Sequence, residues 1–229
     1  MNNQPNIPLV PGAPESIFQT WMKALTRPYE QTFAEMAASP SARASTGYLW
    51  YFIGAIVQFL LASLVQGAVV KNLFSQYSSQ FSQDLASPWL TILCGAPVAA
   101  VFSTLMFGIG AAVVQWIAGM FGGKGTNNQL TYVLSAILAP YMIFSGLLVL
   151  PSAIPYVGLL TGLLAGLAGL YILVLEVIAV KGVNRFGWGP AIGSLLVPLL
   201  VVGFLCACLV GGVIALLVPV IQQNMPQTF

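Results

Sequence analysis

The stretch Ile154–Val180 most constrains the fold, because it is an apolar run long enough to cross a lipid bilayer. A membrane-spanning helix needs about 20 apolar residues. Four glycines in this run lie at i, i+4, i+8 and i+11, so at about 100° per residue they share one narrow stripe of the helix. They are Gly158, Gly162, Gly166 and Gly169. A stripe with almost no side chains predicts a face on which another helix packs closely.

Glu176 is the only acidic or basic residue well inside any apolar run of the chain. It follows Gly158 by five helical turns, so it points along the glycine stripe. Two interpretations stay open. One is a carboxyl group hydrogen-bonded inside the bundle, to Gln115, Tyr132, Ser135 or Ser194 at similar depth. The other is an ion or proton site, or a contact for a partner helix.

The composition indicates a membrane-embedded protein without reaction chemistry. Mean hydropathy is +0.90 and 5% of residues are charged, against about 25% in soluble domains. There is no His, the commonest general base and metal ligand, and no pair of carboxylates or nucleophile with a base is apparent. Cys94, Cys206 and Cys208 lie in apolar runs and are interpreted as buried small hydrophobes. We therefore predict a non-enzyme with no cofactor, no metal and no nucleic-acid partner.

The apolar runs predict an all-α fold, a five-span transmembrane helix bundle with a short amphipathic N-terminal segment. Residues 1–14 are expected to form a disordered tail, 15–46 cytoplasmic amphipathic or interfacial helices interrupted at Pro28, 47–221 the membrane domain, and 222–229 a tail. The predicted spans are about 47–70, 89–121, 130–150, 154–180 and 191–221. The first N-terminal helix either lies on the membrane surface or docks on the bundle, and the aromatic cluster Tyr48, Trp50 and Tyr51 is typical of a membrane interface.

The fifth span carries a second ladder of small residues. Gly203, Ala207 and Gly211 follow one another at i+4. Two such ladders on consecutive spans favour direct packing of the fourth span against the fifth.

Positive charges predict the orientation. With five spans, six of the seven Lys and Arg residues fall on the side of the N-terminus. Because basic residues accumulate on the cytoplasmic side, we expect a cytoplasmic N-terminus and a C-terminus outside or in a lumen.

The loop Gly122, Gly123, Lys124, Gly125, Thr126 contains a Gly-Lys pair but is not a phosphate-binding Walker loop. That loop needs G-x-x-x-x-G-K-[ST] between a strand and a helix, whereas here both flanks are apolar spans and Gly125 follows the lysine. We interpret it as a flexible cytoplasmic turn, and a binding role for it stays open.

Several short stretches together resemble the Yip domain family of multi-pass membrane proteins that interact with Ypt/Rab GTPases. They span about residues 20–215: the Trp21 segment, Thr26–Phe33, Gly122–Thr126, Ala139–Tyr141, Val180–Val183 and Trp188–Ala191. The resemblance implies binding to prenylated Rab-type GTPases and to other family members in vesicle traffic. The short N-terminal region is similar to that of prokaryotic members, which implies a prokaryotic plasma membrane.

These observations predict a non-enzymatic membrane scaffold or adaptor of the Yip type. It would act in membrane organisation or trafficking, through helix–helix and cytoplasmic-loop contacts with other membrane proteins or itself. GTPase binding is implied by the resemblance alone. The alternative is a small-solute or ion transporter that uses Glu176.

Overall fold

A computed structural model describes residues 16–74, 94–154, 156–201, 203, 204 and 208 of the 229 residues, and side chains within these ranges other than those of 66–74 and 153. The predictions for residues 1–14, the connector, the start of the second span and most of 202–229 lie outside the described residues. Every regular element in the described part is a helix, so the all-α prediction is confirmed there.

Two short helices precede the long ones. The helices are α1 (Ile17–Thr26), α2 (Glu30–Ala38), α3 (Ala44–Phe74), α4 (Ala96–Met120), α5 (Asn127–Val149), a 3₁₀ helix (Leu150–Ala153), α6 (Val157–Asn184) and α7 (Trp188–Val201). Of these, α3, α4, α5 and α6 are long and apolar enough to cross a membrane, and α7 is a shorter apolar helix. The structure therefore supports four candidate spans and a fifth apolar helix.

Local sequence signals explain where the helices begin and end. Ser16 and Thr126 each accept a hydrogen bond from the backbone N–H three residues later, and the side chains of Gln19 and Gln129 bond back to them. These reciprocal capping boxes satisfy donors at the first turns of α1 and α5. Pro28 separates α1 from α2, since the residue before a proline disfavours the helical conformation.

Helix α5 is the centre of the bundle. It contacts α1, α2, α3, α4 and α6, and its residues 130–137 are all buried. The glycine-rich helix α6 is more peripheral in its first half, where Leu159 and Leu167 are 74% and 64% exposed. Apolar side chains on such an outer face suit contact with lipid, where the hydrophobic effect does not oppose their exposure.

The most extensive helix contact described joins α3 to α5, and it includes close approaches of backbone to glycine. A Cβ built on Gly54 would lie 2.7 Å from the carbonyl oxygen of Ala139, and one built on Gly47 would lie 2.9 Å from that of Thr131. On α5, a Cβ built on Gly146 would lie 3.0 Å from the Cα of Gln58. The pairs advance along both chains together, so α3 and α5 run parallel. Glycine is required at these positions because backbone stands where a side chain would go.

Aromatic side chains near the start of α3 also join it to α4 and α5. The Tyr51 ring stacks on Phe107 of α4, with 4.1 Å between ring centroids, and Trp50 contacts Tyr132 of α5 at 4.9 Å. Trp50 and Tyr51 are 4% and 8% exposed. The interface interpretation is therefore wrong for these two residues, because they pack between helices instead of facing lipid headgroups.

Replacing Gly54 with Ala should separate α3 from α5. The added methyl group would overlap a backbone carbonyl that cannot rotate away, and overpacking costs about 1–3 kcal/mol. We expect Gly54→Ala to lower the thermal stability of the purified protein. Gly110→Ala on α4 is the matched control, since a Cβ there meets no described atom within 4 Å, and it should be neutral or slightly stabilising. Equal melting temperatures for the two variants would contradict the close α3–α5 contact.

Candidate functional site

The candidate site lies at one end of the bundle, where the long helices begin or end and where most of the basic residues lie. We call it the basic end: the start of α3, the end of α4, the start of α5, the end of α6 and the start of α7, together with α1 and α2. Six basic residues belong to it: Lys23, Arg27, Arg43, Lys124, Lys181 and Arg185. Among the described residues there is no group of three His, Cys, Asp or Glu that could hold a metal ion.

Helix α2 is fastened to the end of α6. The Lys181 ammonium pairs with the Glu30 carboxylate at 2.5 Å and lies 4.5 Å from the centroid of the Trp188 ring. A Cβ built on Gly182 would lie 2.6 Å from the carbonyl oxygen of Glu30, so only glycine lets α2 approach this closely. Phe33 of α2 is fully buried. Two parts of the chain that resemble Yip proteins and are far apart in sequence, 26–33 and 180–191, are therefore in contact here.

Asn184 at the end of α6 holds the loop 122–126. Its Oδ1 accepts hydrogen bonds from the Gln115 side chain at 2.9 Å and from the Gly125 N–H at 3.2 Å. Its backbone carbonyl accepts from the Lys124 N–H at 3.2 Å, and its Nδ2 donates to the Val180 carbonyl at 3.1 Å. Asn184 is fully buried. The loop is thus tied to α4 and α6 at once.

The three glycines of this loop have specific roles. Gly122 has a φ of 83°, a conformation that favours glycine. Cβ atoms built on Gly123 and Gly125 would lie 2.5 and 2.9 Å from Asn184 Oδ1. The expectation of a flexible turn is wrong for this loop, because its glycines admit the Asn184 side chain and its backbone donates to that residue. Thr126 then caps α5.

Helix α1 docks on the bundle and leaves one apolar face exposed. Thr20 and Ala24 are buried, Trp21 packs edge-on against Trp50 with 6.3 Å between centroids, and α1 contacts α5. The Tyr171 hydroxyl of α6 donates to the Leu25 carbonyl at 2.6 Å. The side of α1 that faces away from the bundle exposes three apolar side chains: Ile17, Phe18 and Met22. Of the two predicted placements, docking on the bundle is the one described.

Glu176 is half-buried on α6 and meets none of its four predicted partners. Within the described part of the chain, no hydrogen bond or ion pair to its carboxyl group is found. The proposed partners are engaged elsewhere: Gln115 with Asn184, Tyr132 with Ser41, Ser135 with the Tyr132 carbonyl, and Ser194 with the Pro190 carbonyl.

Among the described residues, the glycine stripe of α6 has close neighbours only at its two ends. A Cβ on Gly158 would lie 2.9 Å from the Ser152 carbonyl, and one on Gly169 would lie 3.2 Å from the Tyr141 hydroxyl. At Gly162, Gly166 and Gly203 no described atom lies within 4 Å. Ala207 and Gly211 lie outside the described residues, so the packing of the fourth span on the fifth stays a prediction.

The cysteines differ from expectation where they are described. Cys94 and Cys208 are exposed free thiols, so the interpretation as buried residues is wrong for these two. Cys206 is outside the described residues.

The role of Asn184 is not predicted from the sequence, and Gln115 is predicted there only as a partner of Glu176. Gln115 is an amide inside the predicted second span, and such an amide needs a partner. Asn184 follows the predicted fourth span and lies one turn before the next apolar helix, so no comparable pattern marks it.

Removing the Asn184 side chain should release the loop. Asn184→Ala would remove the acceptor of the Gly125 N–H and one acceptor of the Gln115 side chain, which keeps its hydrogen bond to the Gly125 carbonyl. Losing these two part-buried hydrogen bonds should cost about 1–3 kcal/mol in total, at about 0.5–1.5 kcal/mol each. We expect a lower melting temperature and faster tryptic cleavage after Lys124. Asn128→Ala is the matched control, because Asn128 is exposed at the start of α5. Cleavage of Asn184→Ala at the wild-type rate would mean that Asn184 does not hold the loop.

Comparison with known protein families gives a match over most of the chain. The family model of the Yip1 domain matches residues 22–220, which includes α2 through α7 and all the stretches that meet at the basic end. A search of curated proteins finds no match to the chain, and a search of solved structures finds none either. Because the family model covers most of its length, the chain belongs to the Yip1 domain family.

Proposed function

We propose that this protein is a non-enzymatic adaptor that crosses the membrane five times and binds partner proteins at its basic end. The observation that carries the proposal is the joining of the 26–33, 122–126 and 180–190 stretches into one surface. Hydrogen bonds of Asn184 and the Glu30–Lys181 ion pair hold these stretches together. A surface fixed in advance loses little conformational entropy on binding, which favours recognition.

The proposed fifth span begins with α7 and continues to about residue 221. This count places the N-terminus and the basic end in the cytoplasm, since basic residues accumulate on that side. The proposed membrane is a prokaryotic plasma membrane, by similarity to short family members.

A cysteine placed at Asn128 tests this orientation in a variant that lacks Cys94, Cys206 and Cys208. Asn128 is exposed at the start of α5, so a thiol there is accessible on whichever side the basic end faces. We expect labelling by membrane-permeant reagents only, and a cysteine at Ser79 in the connector should react from outside. Labelling of the Asn128 cysteine by an impermeant reagent in intact cells would reverse the orientation.

Two surfaces are available for partners in this proposal. The exposed apolar side chains of α1, among them Phe18 at 69%, lie next to the basic end. The open part of the glycine stripe at Gly162 and Gly166 lies within the span and fits a transmembrane helix of a partner, of a second copy or of the proposed fifth span. The Yip family is associated with GTPase interaction, so a GTPase is one candidate class of partner at the basic end.

Substitution on the stripe tests the adaptor proposal. Gly162→Leu should reduce the amount of membrane protein that co-purifies in mild detergent, because the leucine side chain would keep a partner helix away. Gly110→Leu is the matched control on α4, where the surroundings are equally open, and it should leave co-purification unchanged. If wild type co-purifies with no protein and remains a monomer, the adaptor proposal fails.

A transporter that uses Glu176 is the second candidate. It is favoured by a carboxyl group that has no hydrogen-bond partner in the described part of the chain and lies in a span, where a charge costs about 2.5–3.5 kcal/mol at the centre. The protein purified in mild detergent, as wild type and as Glu176→Gln, distinguishes an adaptor from a transporter. In an adaptor, Glu176→Gln should keep both stability and co-purifying partners, whereas in a transporter it should abolish solute uptake into liposomes while the melting temperature stays unchanged.

A further inference from the structure

We propose that the cleft between α2, the loop 122–126 and the end of α6 binds the phosphate group of an anionic phospholipid. The cleft has a volume of about 220 Å³. Its lining comes from α2, the loop 122–126, the first turn of α5 and the end of α6, and includes Ala34, Ala37, Lys124, Gln129, Gly182 and Arg185. This site is independent of the adaptor role, since it concerns lipid and not a protein partner.

The cleft combines two cations that no described carboxylate neutralises. Lys124 comes from the loop and Arg185 from the residue that ends α6, and neither forms an ion pair with a described residue. The two acidic side chains of α2 are engaged elsewhere. Glu30, which lines an adjoining cavity with Arg185, pairs with Lys181, and Glu35 lies 3.6 Å from Lys23. The described lining of the cleft therefore has a net positive charge.

The chemistry and size of the cleft favour a phosphate group. Arginine presents a planar fork of donors that matches phosphate oxygens, and lysine adds a compact charge. The opposite wall is built from small side chains, Ala34, Ala37 and Ala38, which leave room for a ligand. Pockets for drug-sized solutes have about 300–1,000 Å³, so this smaller cleft suits a headgroup and not a whole soluble metabolite.

The position of the cleft indicates that the phosphate belongs to a lipid. Lys124 follows the end of α4 at Met120 by four residues, and Arg185 directly follows α6. In the last turns of α4, nearer the middle of the span than these two cations, apolar side chains are exposed, Trp116 at 68% and Met120 at 70%. These side chains suit the hydrocarbon region, so the cations beyond them stand at the depth of the headgroups.

The cleft also has a fixed shape. The Lys124 N–H donates to the Asn184 carbonyl, and the Arg185 N–H donates to the Lys181 carbonyl at 2.8 Å. Both cations are thus attached to backbone that hydrogen bonds hold in place. Basic residues on a mobile tail would also attract anionic lipid, but they would not hold a phosphate group in one fixed position.

Binding of a short-chain lipid to the full-length protein in detergent tests the proposal, since no membrane surface is then present. The probe is dihexanoyl phosphatidylglycerol, with dihexanoyl phosphatidylcholine as the zwitterionic comparison. We expect phosphatidylglycerol to raise the melting temperature of wild type and phosphatidylcholine to raise it less. Lys124→Gln combined with Arg185→Gln should weaken phosphatidylglycerol binding about 25-fold, since each basic residue near anionic lipid contributes about 1 kcal/mol.

Arg27→Gln combined with Arg43→Gln is the charge-matched control. Both residues are exposed at the basic end, but neither lines the cleft, so this variant should bind phosphatidylglycerol as wild type does. An equal loss in the control would show general attraction by charge and overturn the site. If inorganic phosphate alone raised the melting temperature as much as phosphatidylglycerol does, the ligand would be a soluble phosphate and the lipid assignment would be contradicted. Unchanged binding by the Lys124/Arg185 variant, folded as judged by its lipid-free melting temperature, would also overturn the proposal.

Discussion

The side-chain amide of Asn184 lies where the end of α4, the loop 122–126 and the end of α6 meet, and the arrangement of the basic end depends on its hydrogen bonds. One oxygen accepts from Gln115 and from Gly125, while the nitrogen bonds back to α6. A fully buried amide is costly unless its hydrogen bonds are made. Because they are made with three separate segments, the segments cannot shift independently, and the cleft beside Lys124 and Arg185 keeps its shape.

Glycines allow close contacts both between the helices of the bundle and at the basic end. In α3, Gly47 and Gly54 admit the backbone of α5, and in the loop, Gly123 and Gly125 admit the side chain of Asn184. Gly182 admits the backbone of α2 onto α6. Each of these glycines stands where a neighbouring atom occupies the space of a side chain. In a membrane, where no hydrophobic effect drives helices together, such close approach supplies much of the packing energy.

The sequence predicted the helical class, four of the long apolar helices and the two N-terminal helices with their break at Pro28, because apolar length, capping residues and proline act locally. It did not predict which helix is central. Glycine spacing on α6 indicates where another helix could approach, but whether a neighbour stands there depends on contacts far apart in sequence. The glycines of α3 at Gly47 and Gly54 form no ladder, yet they meet α5.

In the candidate site, too, local features could be predicted from the sequence but contacts between distant residues could not. The loop and the stretches near Glu30 and Lys181 could be singled out from the sequence, whereas their meeting could not. Gly125 and Asn184 are 59 residues apart and Leu25 and Tyr171 are 146 apart, so no local pattern relates them. Tyr171 illustrates the consequence. At the helical pitch it lies opposite the glycine stripe at Gly162, and its hydroxyl donates to the Leu25 carbonyl of α1.

Because Asn184 accepts hydrogen bonds from its backbone, the loop 122–126 should be a fixed part of the protein surface and not a flexible connection between spans. Hydrogen exchange of its individual amides can be measured in the intact protein in lipid nanodiscs. The Lys124 and Gly125 amides should exchange slowly, since both donate to Asn184, and the amides of α4 near Gly119 provide the helical reference within the same molecule. Exchange of Lys124 and Gly125 at the rate of an unstructured peptide would show that the loop is flexible.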